Sequence, residues 1–542
     1  MRCVLACCLA WLACAPAGAA DLVLYNGRLW TGDPDLPQAS AIAIGGGRIL
    51  AVGSDSQVLA RAGQARRIDL GGRRVVPGIN DAHVHLGAWW ESTFLELASP
   101  DPGLAELEAA IRAAPGPADG WISASIGPTA FNDPALDQAR LDAWQPRRPL
   151  ILQAFTGHGT VVNSAARQRL GIDPSAPVPG GWYGTGADGA FDGRLYEYAQ
   201  WRMRLSQPPL PDAVEIADLQ GYSQQLLRWG TTSIQAMAAL PAERMLALWQ
   251  RSGAPQRLRL VRTPLPARWG EPVDGASLHA PAGSRVQVSG TKWILDGTPI
   301  EGGAATRAPY PGSGGHGRLN FEPEQVRELL AEVIARDDQP LLHVIGDHTT
   351  EVVLQAMAAL APAADWRQRR LRLEHGDGLR GDLLRQAREY GVVVVQNPSH
   401  FTLPHPYISG SLVAGLLDAG IPLALGSDGP PNPWLNLMWA VRPLAAPAQA
   451  LGREQALRAY TAGSAWAEFA EQDKGRLAPG LVADLAVLSQ DVLDEALPLE
   501  ALPATTSLLT VIDGQIAWQD PGLEPATAAA SAPGPRPAAR SP

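Results

Sequence analysis

The sequence predicts an α/β protein: a (β/α)8 TIM-type barrel, flanked by a β-sandwich built from both chain ends, with a long insertion after the first barrel strand. Three observations carry that prediction. Eight short apolar runs recur through the middle of the chain, with helix-like stretches between several of them. Both ends alternate apolar and polar residues as half-buried strands do. A pair of histidines two apart closes the first run, at the strand end where such a barrel carries its chemistry.

Residues 1–20 read as a secretory leader. Met1-Arg2 is a minimal basic start, residues 4–13 form an apolar core, and Pro16-Ala17-Gly18-Ala19-Ala20 offers small residues for cleavage before Asp21. That core is far shorter than the roughly 20 residues a membrane-spanning helix needs. Cys3, Cys7, Cys8 and Cys14 all fall within residues 1–20, so the chain from Asp21 onward has no thiol nucleophile, thiolate ligand or disulfide. The expectation is a periplasmic or secreted protein, with a lipoprotein acylated at Cys14 as the alternative.

Residues 21–75 supply strand-like runs at 22–25, 41–44 and 48–52. Turn signals at Asn26-Gly27 and Gly45-Gly46-Gly47 separate them. This is the expected N-terminal part of the sandwich. Its C-terminal part is expected over 466–520, from the runs 484–488 and 507–512 followed by Asp513-Gly514. The tail, 521–542, is rich in Ala, Pro and Ser and is expected to be disordered. The barrel is expected over 76–465. Its eight runs are 75–85, 232–237, 257–262, 292–296, 340–345, 371–375, 392–396 and 422–427, with helical patterns such as 322–336 and 381–390. Residues 90 to about 220 do not fit the alternation and read as an insertion with its own strands at 121–126 and 149–155.

Apolar residues make up 46% of the chain and charged residues 18%, which is a globular composition. A net charge of −10 without a long basic run argues against a nucleic-acid partner. Nothing after the leader reads as a transmembrane helix, so no stable membrane insertion is expected. The expected partner is a small-molecule substrate; a homo-oligomer is left open.

The chemistry begins at Asp81-Ala82-His83-Val84-His85. Alternate side chains of an extended strand point the same way, so His83 and His85 can chelate one ion. Taken alone, two histidines two apart carry little weight. The other strand ends add Lys292, His343, His375 and Asp428 in order. Neutral imidazoles and carboxylates are what Zn²⁺ and related divalent ions bind, and four histidines, a lysine and an aspartate suit two adjacent ions. An ammonium cannot ligate, but a buried lysine sheds its proton more readily and can then carry a carboxylate added from CO2. Of 44 basic residues only Lys292 and Lys474 are lysine, and Lys292 stands in an apolar run where arginine could not lose its proton. Lys474 reads as a bland residue in a polar loop.

The motifs Asp81–His85, the lysine run ending in Asp296-Gly297, His343-Val344-Ile345-Gly346-Asp347, Leu373-Glu374-His375-Gly376 and Gly426-Ser427-Asp428-Gly429-Pro430 together resemble the metal-dependent amidohydrolase superfamily. The narrower resemblance is to its branch of YtcJ-like proteins and N-substituted formamide deformylase. It spans about 21 to 515, including Thr156-Gly157-His158 and the closing segment 475–485. The resemblance implies that His83, His85 and Asp428 bind a first ion, that His343 and His375 bind a second, and that carboxylated Lys292 bridges them. The implied cofactor is one or two zinc ions. The implied activity is an exported hydrolase that cleaves a C–N bond in an amide, formamide or cyclic amide, using metal-activated hydroxide with Asp428 as proton shuttle. Ester or carbamate hydrolysis on the same fold, and a metal-holding binder without turnover, are the alternatives.

Further residues are expected near the site. The resemblance sets His158 over it, as a catalytic or substrate contact. Asp347 and Glu374 flank metal histidines and are candidate hydrogen-bond acceptors. Gln396, Asn397 and His400 follow the seventh run and are candidates to face the substrate. Seventeen tryptophans against seven phenylalanines is an unusual ratio. Trp89, Trp182 and Trp434 stand in expected loops at the barrel mouth and are read as walls of an apolar substrate pocket. His279, His316, His348 and His405 lack ligand spacing and are read as structural.

Overall fold

Eight parallel strands form the centre of the computed structural model, which describes residues 19–523 apart from 88–91, 208, 239–240, 272, 274, 312–313, 403–412 and 445. They are β1 (Ile79–Leu86), β2 (Thr231–Ala238), β3 (Arg257–Arg262), β4 (Val286–Ile294), β5 (Pro340–Val344), β6 (Arg372–His375), β7 (Val393–Gln396) and β8 (Leu423–Leu425). Each pairs with the next in parallel register, from β1 through β8. The sheet curls until β8 nearly meets β1. There the Asp428 N–H donates to His83 O at 3.0 Å, and the Ser427 N–H donates to Asp81 Oδ1 at 2.8 Å. A Cβ on Gly426 would lie 2.5 Å from the His83 nitrogen, so only glycine lets this seam close.

The strands are short and apolar because both faces are covered, as parallel sheets require. β7 is fully buried along its length. The covering helices show the matching pattern. Pro323–Ala335 begins on proline, receives the Gln325 side chain back on the Glu322 N–H at 2.9 Å, and buries Val326, Leu329, Leu330 and Val333.

The flanking sandwich combines both chain ends. One sheet runs Arg48–Gly53, Ala41–Gly45, Leu22–Tyr25, Arg66–Asp69. The other runs Gln515–Gln519, Ser507–Ile512, Leu485–Leu488, Arg74–Pro77, Arg28–Trp30, Gln38–Ala39. The ends join where Leu485 pairs with Pro77 and Val487 with Val75, antiparallel. Leu24, Ile42, Val75, Leu485 and Val511 share one buried cluster between the sheets.

The expected run 75–85 is therefore two strands: Arg74–Pro77 belongs to the sandwich and β1 to the barrel. Gly78 is the break between them, and its backbone approaches Thr232 so closely that a Cβ would lie 2.1 Å from the hydroxyl. The lysine strand also begins earlier than expected, at Val286. Polar residues at its start hid it from an apolar pattern. The insertion forms a six-stranded sheet, Gly181–Thr185, Phe191–Glu197, Gly159–Val162, Leu150–Ala154, Ile122–Ile126, Thr93–Phe94. Its helix Tyr198–Leu205 returns over the barrel mouth. The leader through residue 18, the tail from 524, Trp89 and His405 lie outside the described residues. Among those described, no helix is long and apolar enough to cross a membrane.

Arg257 on β3 ties the barrel to the sandwich. Its guanidinium reaches the Asp484 carboxylate at 2.7 and 3.2 Å and also binds Asp513. Arg257→Ala should lower stability by about 2 kcal/mol in urea melts, the scale of losing charged hydrogen bonds. Burial pushes the Asp513 carboxyl up, but Arg285 and Arg257 outweigh it and hold the group below its ordinary 3.8. Its contribution is thus present above pH 3.8 and lost as pH falls further. Melts of the Asp513→Asn variant should converge on wild type in that acid range, and a difference that persists there contradicts the pairing.

Candidate metal centre

Six side chains from four barrel strands and the loop after β8 converge at one end of the barrel. His83 is fully buried and His85 half-exposed, their Nε2 atoms 3.4 Å apart. The Asp428 backbone adopts a positive φ of 36°, which turns its carboxylate back over the strand ends. Oδ1 lies 3.4 Å from His85 Nε2 and 3.8 Å from His83 Nε2. Oδ2 lies 3.8 Å from His375 Nε2 and 3.5 Å from His400 Nε2. Lys292 is 3% exposed, with Nζ 3.0 Å from His83 Nε2. Burial pushes its amine down to about 8.

The far sides of the imidazoles are fixed. His83 Nδ1 donates to Glu374 Oε2 at 2.6 Å. Arg372, fully buried beside it, grips that carboxylate through Nε at 2.8 Å and Nη2 at 3.0 Å. Burial alone would raise the Glu374 carboxyl, but Arg372 and His83 hold it well below the usual carboxylate range. His375 Nδ1 donates to Asn397 Oδ1 at 2.7 Å. Both rings therefore turn Nε2, with its lone pair, toward the centre. His343 Nε2 is buried and has no hydrogen-bond partner among the described residues, and its ring centroid stands 4.6 Å from that of His375.

Residues 66–517 match the family model described as "Amidohydrolase family". The chain belongs to that family. It is a metal-dependent hydrolase of the class that acts on carbon–nitrogen bonds. It is 26% identical over 547 residues to a putative amidohydrolase, YtcJ, of Bacillus subtilis (strain 168), covering 92% of this chain and 99% of the relative. It is 25% identical over 549 residues to the N-substituted formamide deformylase of Arthrobacter pascens, covering 93% and 99%. A solved metal-dependent hydrolase from Pyrococcus furiosus shares the fold at a TM-score of 0.64 and 23% identity, covering 87% of this chain and all of that one. The family is metal-dependent, and the donors here fit a divalent ion. They are neutral imidazoles locked by Glu374 and Asn397, a carboxylate between them, and a buried His343 nitrogen that nothing among the described residues satisfies.

The amidohydrolase barrel opens into a cavity of about 660 Å³. His158, from the insertion, lines it, with its ring 4.5 Å from His343. Its Nδ1 sits 3.0 Å from both Glu197 oxygens. Burial lowers the imidazole pKa, but Glu197 outweighs burial and raises it. Glu197 was not legible in the sequence. It ends an insertion strand at a positive φ of 52°, and no spacing ties it to His158. The apolar wall comes from Phe155, Trp201, Tyr222, Leu265, Ile300 and Ile345.

Three residues read as substrate-facing lie elsewhere. Trp434 is fully buried in the helix Pro433–Val441, where its indole donates to Trp229 O at 3.2 Å; the helix turns it into the core, away from the mouth. Trp182 stacks on Tyr196 at 5.5 Å beneath Arg318, within the insertion sheet. Gln396 is buried behind His375, donating to its carbonyl and to Asp377. His400 does line the cavity. Glu374 accepts from His83, which stands across the barrel, whereas Asp347 accepts from the Arg307 N–H at 2.8 Å, away from His343. Lys474 is buried, 2.9 Å from both Glu468 and Ser233, which corrects its reading as a loop residue.

Glu374→Gln keeps the shape but removes the charge that orients His83. It should weaken divalent-ion affinity by roughly 10–100-fold in chelator competition. Unchanged affinity would remove Glu374 from the centre.

Proposed function

We propose that the chain hydrolyses the C–N bond of a small amide, formamide or cyclic amide that carries an apolar substituent. The observation that carries this reading is one cavity lined at one side by His85, Lys292, His343, His375 and Asp428 and at the other by aromatic and aliphatic side chains. Zinc is the ion the reading assigns, one or two per chain, because imidazole and carboxylate donors suit it. When bound, such an ion acidifies water and polarises a carbonyl.

The chain's own groups do the rest. Burial would raise the Asp428 carboxyl, but His83, His400 and the neighbouring imidazoles hold it far below the carboxylate range. Ionised, it can take the proton of the attacking water and return it to the leaving nitrogen. His158, held by Glu197, can donate to the oxygen on which charge develops. Lys292, dry and with its amine weakened, is suited to carry a carboxylate from CO2. The apolar wall keeps bulk water from the reacting bond. The leader-like residues 1–20 support a reading in which this activity is exported to the periplasm or beyond.

Asp428→Asn should lower kcat by about 10²-fold or more on the best substrate while the ion content stays measurable. Near-normal turnover would refute the proton shuttle. Across a matched panel, N-formyl and N-acyl amines with apolar groups should give a higher kcat/KM than the corresponding esters and carbamates. The reverse order would move the reading to ester or carbamate chemistry.

A further inference from the structure

Three cavity-lining side chains carry a buried atom with no hydrogen-bond partner among the described residues: His343 Nε2, Thr263 Oγ1 and Asp377 Oδ2. His343 belongs to the donor set for the ion. Thr263 follows β3, and its hydroxyl can turn to donate or to accept. Asp377 is different, because a carboxylate only accepts.

The fold fixes that carboxylate. β6 ends at His375, and His375 and Gly376 adopt positive φ values of 68° and 63°. The chain turns tightly at the strand end, so Asp377, two residues on, still borders the cavity although it is only 3% exposed. Gln396, at the end of β7, sets the rotation of the group. Its Nε2 donates to the His375 carbonyl and, at 3.3 Å, to Asp377 Oδ1. A carbonyl can only accept, so the Gln396 amide is held one way round. Oδ1 is thereby committed and Oδ2 is left over.

The leftover oxygen belongs to the reacting side of the cavity. Asp377, His400 and Asp428 follow the adjacent strands β6, β7 and β8. His375 Nε2 and His400 Nε2 lie 3.8 and 3.5 Å from Asp428 Oδ2. The apolar residues Phe155, Trp201 and Leu265 come from the insertion and the loop after β3. A buried acceptor without a donor is costly, and a ligand N–H that reaches it recovers that cost.

We propose that Asp377 is a specificity-determining residue: its Oδ2 accepts the N–H of the scissile amide. The enzyme then selects amides that keep a hydrogen on nitrogen over N,N-disubstituted amides and over esters, which have none to offer. This use leaves the Asp428 carboxylate for the proton and His343 for the ion. The inference rests on the amide-hydrolase reading of the same cavity.

The test compares purified full-length wild type, Asp377→Asn and Asp377→Ala. The probes are N-hexylformamide, N-hexyl-N-methylformamide and hexyl formate, with the corresponding acetyl compounds. Ion content and circular dichroism are measured alongside. In Asp377→Asn the side-chain oxygen must stay toward Gln396 to accept its N–H, which turns the new amino group toward the substrate N–H. Wild type should favour the secondary amide over the tertiary one by roughly 10²-fold or more in kcat/KM. Both variants should lose about that factor on the secondary amide and change little on the tertiary amide and the ester, at wild-type ion content. A disturbed centre would instead lower all three probes together and keep their order. If wild type shows no preference for the N–H, or if the variants lower all three alike, this inference falls and the hydrolase reading stands. If wild type cleaves only the ester, or none of the probes, the amide reading falls and takes this inference with it.

Discussion

Closure of the barrel between β8 and β1 is the constraint from which the site follows. Gly426 lets the two strands touch, the Ser427 N–H is tied to Asp81, and the Asp428 N–H is tied to the His83 carbonyl. The carboxylate of Asp428 is thereby delivered onto the side chains of the strand that holds it. Residues more than three hundred positions apart along the chain become neighbours through backbone hydrogen bonds rather than through flexible side chains. A donor set built this way is rigid before any ion arrives, which is what tight ion binding and a fixed reaction geometry need.

Burial makes that rigidity costly. Arg372, Glu374, Lys292 and the histidines stand where isolated charges are strongly disfavoured. The fold answers with a chain of contacts through the barrel interior: Glu374 to Arg372, Arg372 to Gln235, Gln235 to Asn80, and Asn80 to Glu468, which pairs with Lys474. The two lysines of the chain therefore sit at opposite ends of one buried polar column. Lys292 faces the cavity and Lys474 is neutralised by an acid. The same residue type serves chemistry at one end and charge balance at the other.

Most of the barrel strands were legible because parallel strands covered on both faces are largely apolar, and the polar start of β4 was missed for the same reason. The split of 75–85 was not legible, since sandwich and barrel strands obey the same apolar rule and only the close approach at Gly78 separates them. Side-chain direction off the strands was the larger gap. Trp434 and Trp182 sit at the expected places in the chain, but a helix face and a sheet face turned them inward. Glu197 and His400 come from an insertion strand and a 3-10 helix, elements with no periodicity that would aim a side chain at the cavity. His400 carried a hint in its position after β7, whereas Glu197 carried none.

The central claim is that donors from separate strands meet around cations at the barrel mouth. An anomalous difference map, recorded at the zinc edge from crystals grown with Zn²⁺, tests it most directly. The account predicts a peak about 2.0–2.2 Å from His83 Nε2, His85 Nε2 and an Asp428 oxygen. A map with no peak inside this donor set, or with zinc only on surface side chains, would contradict it.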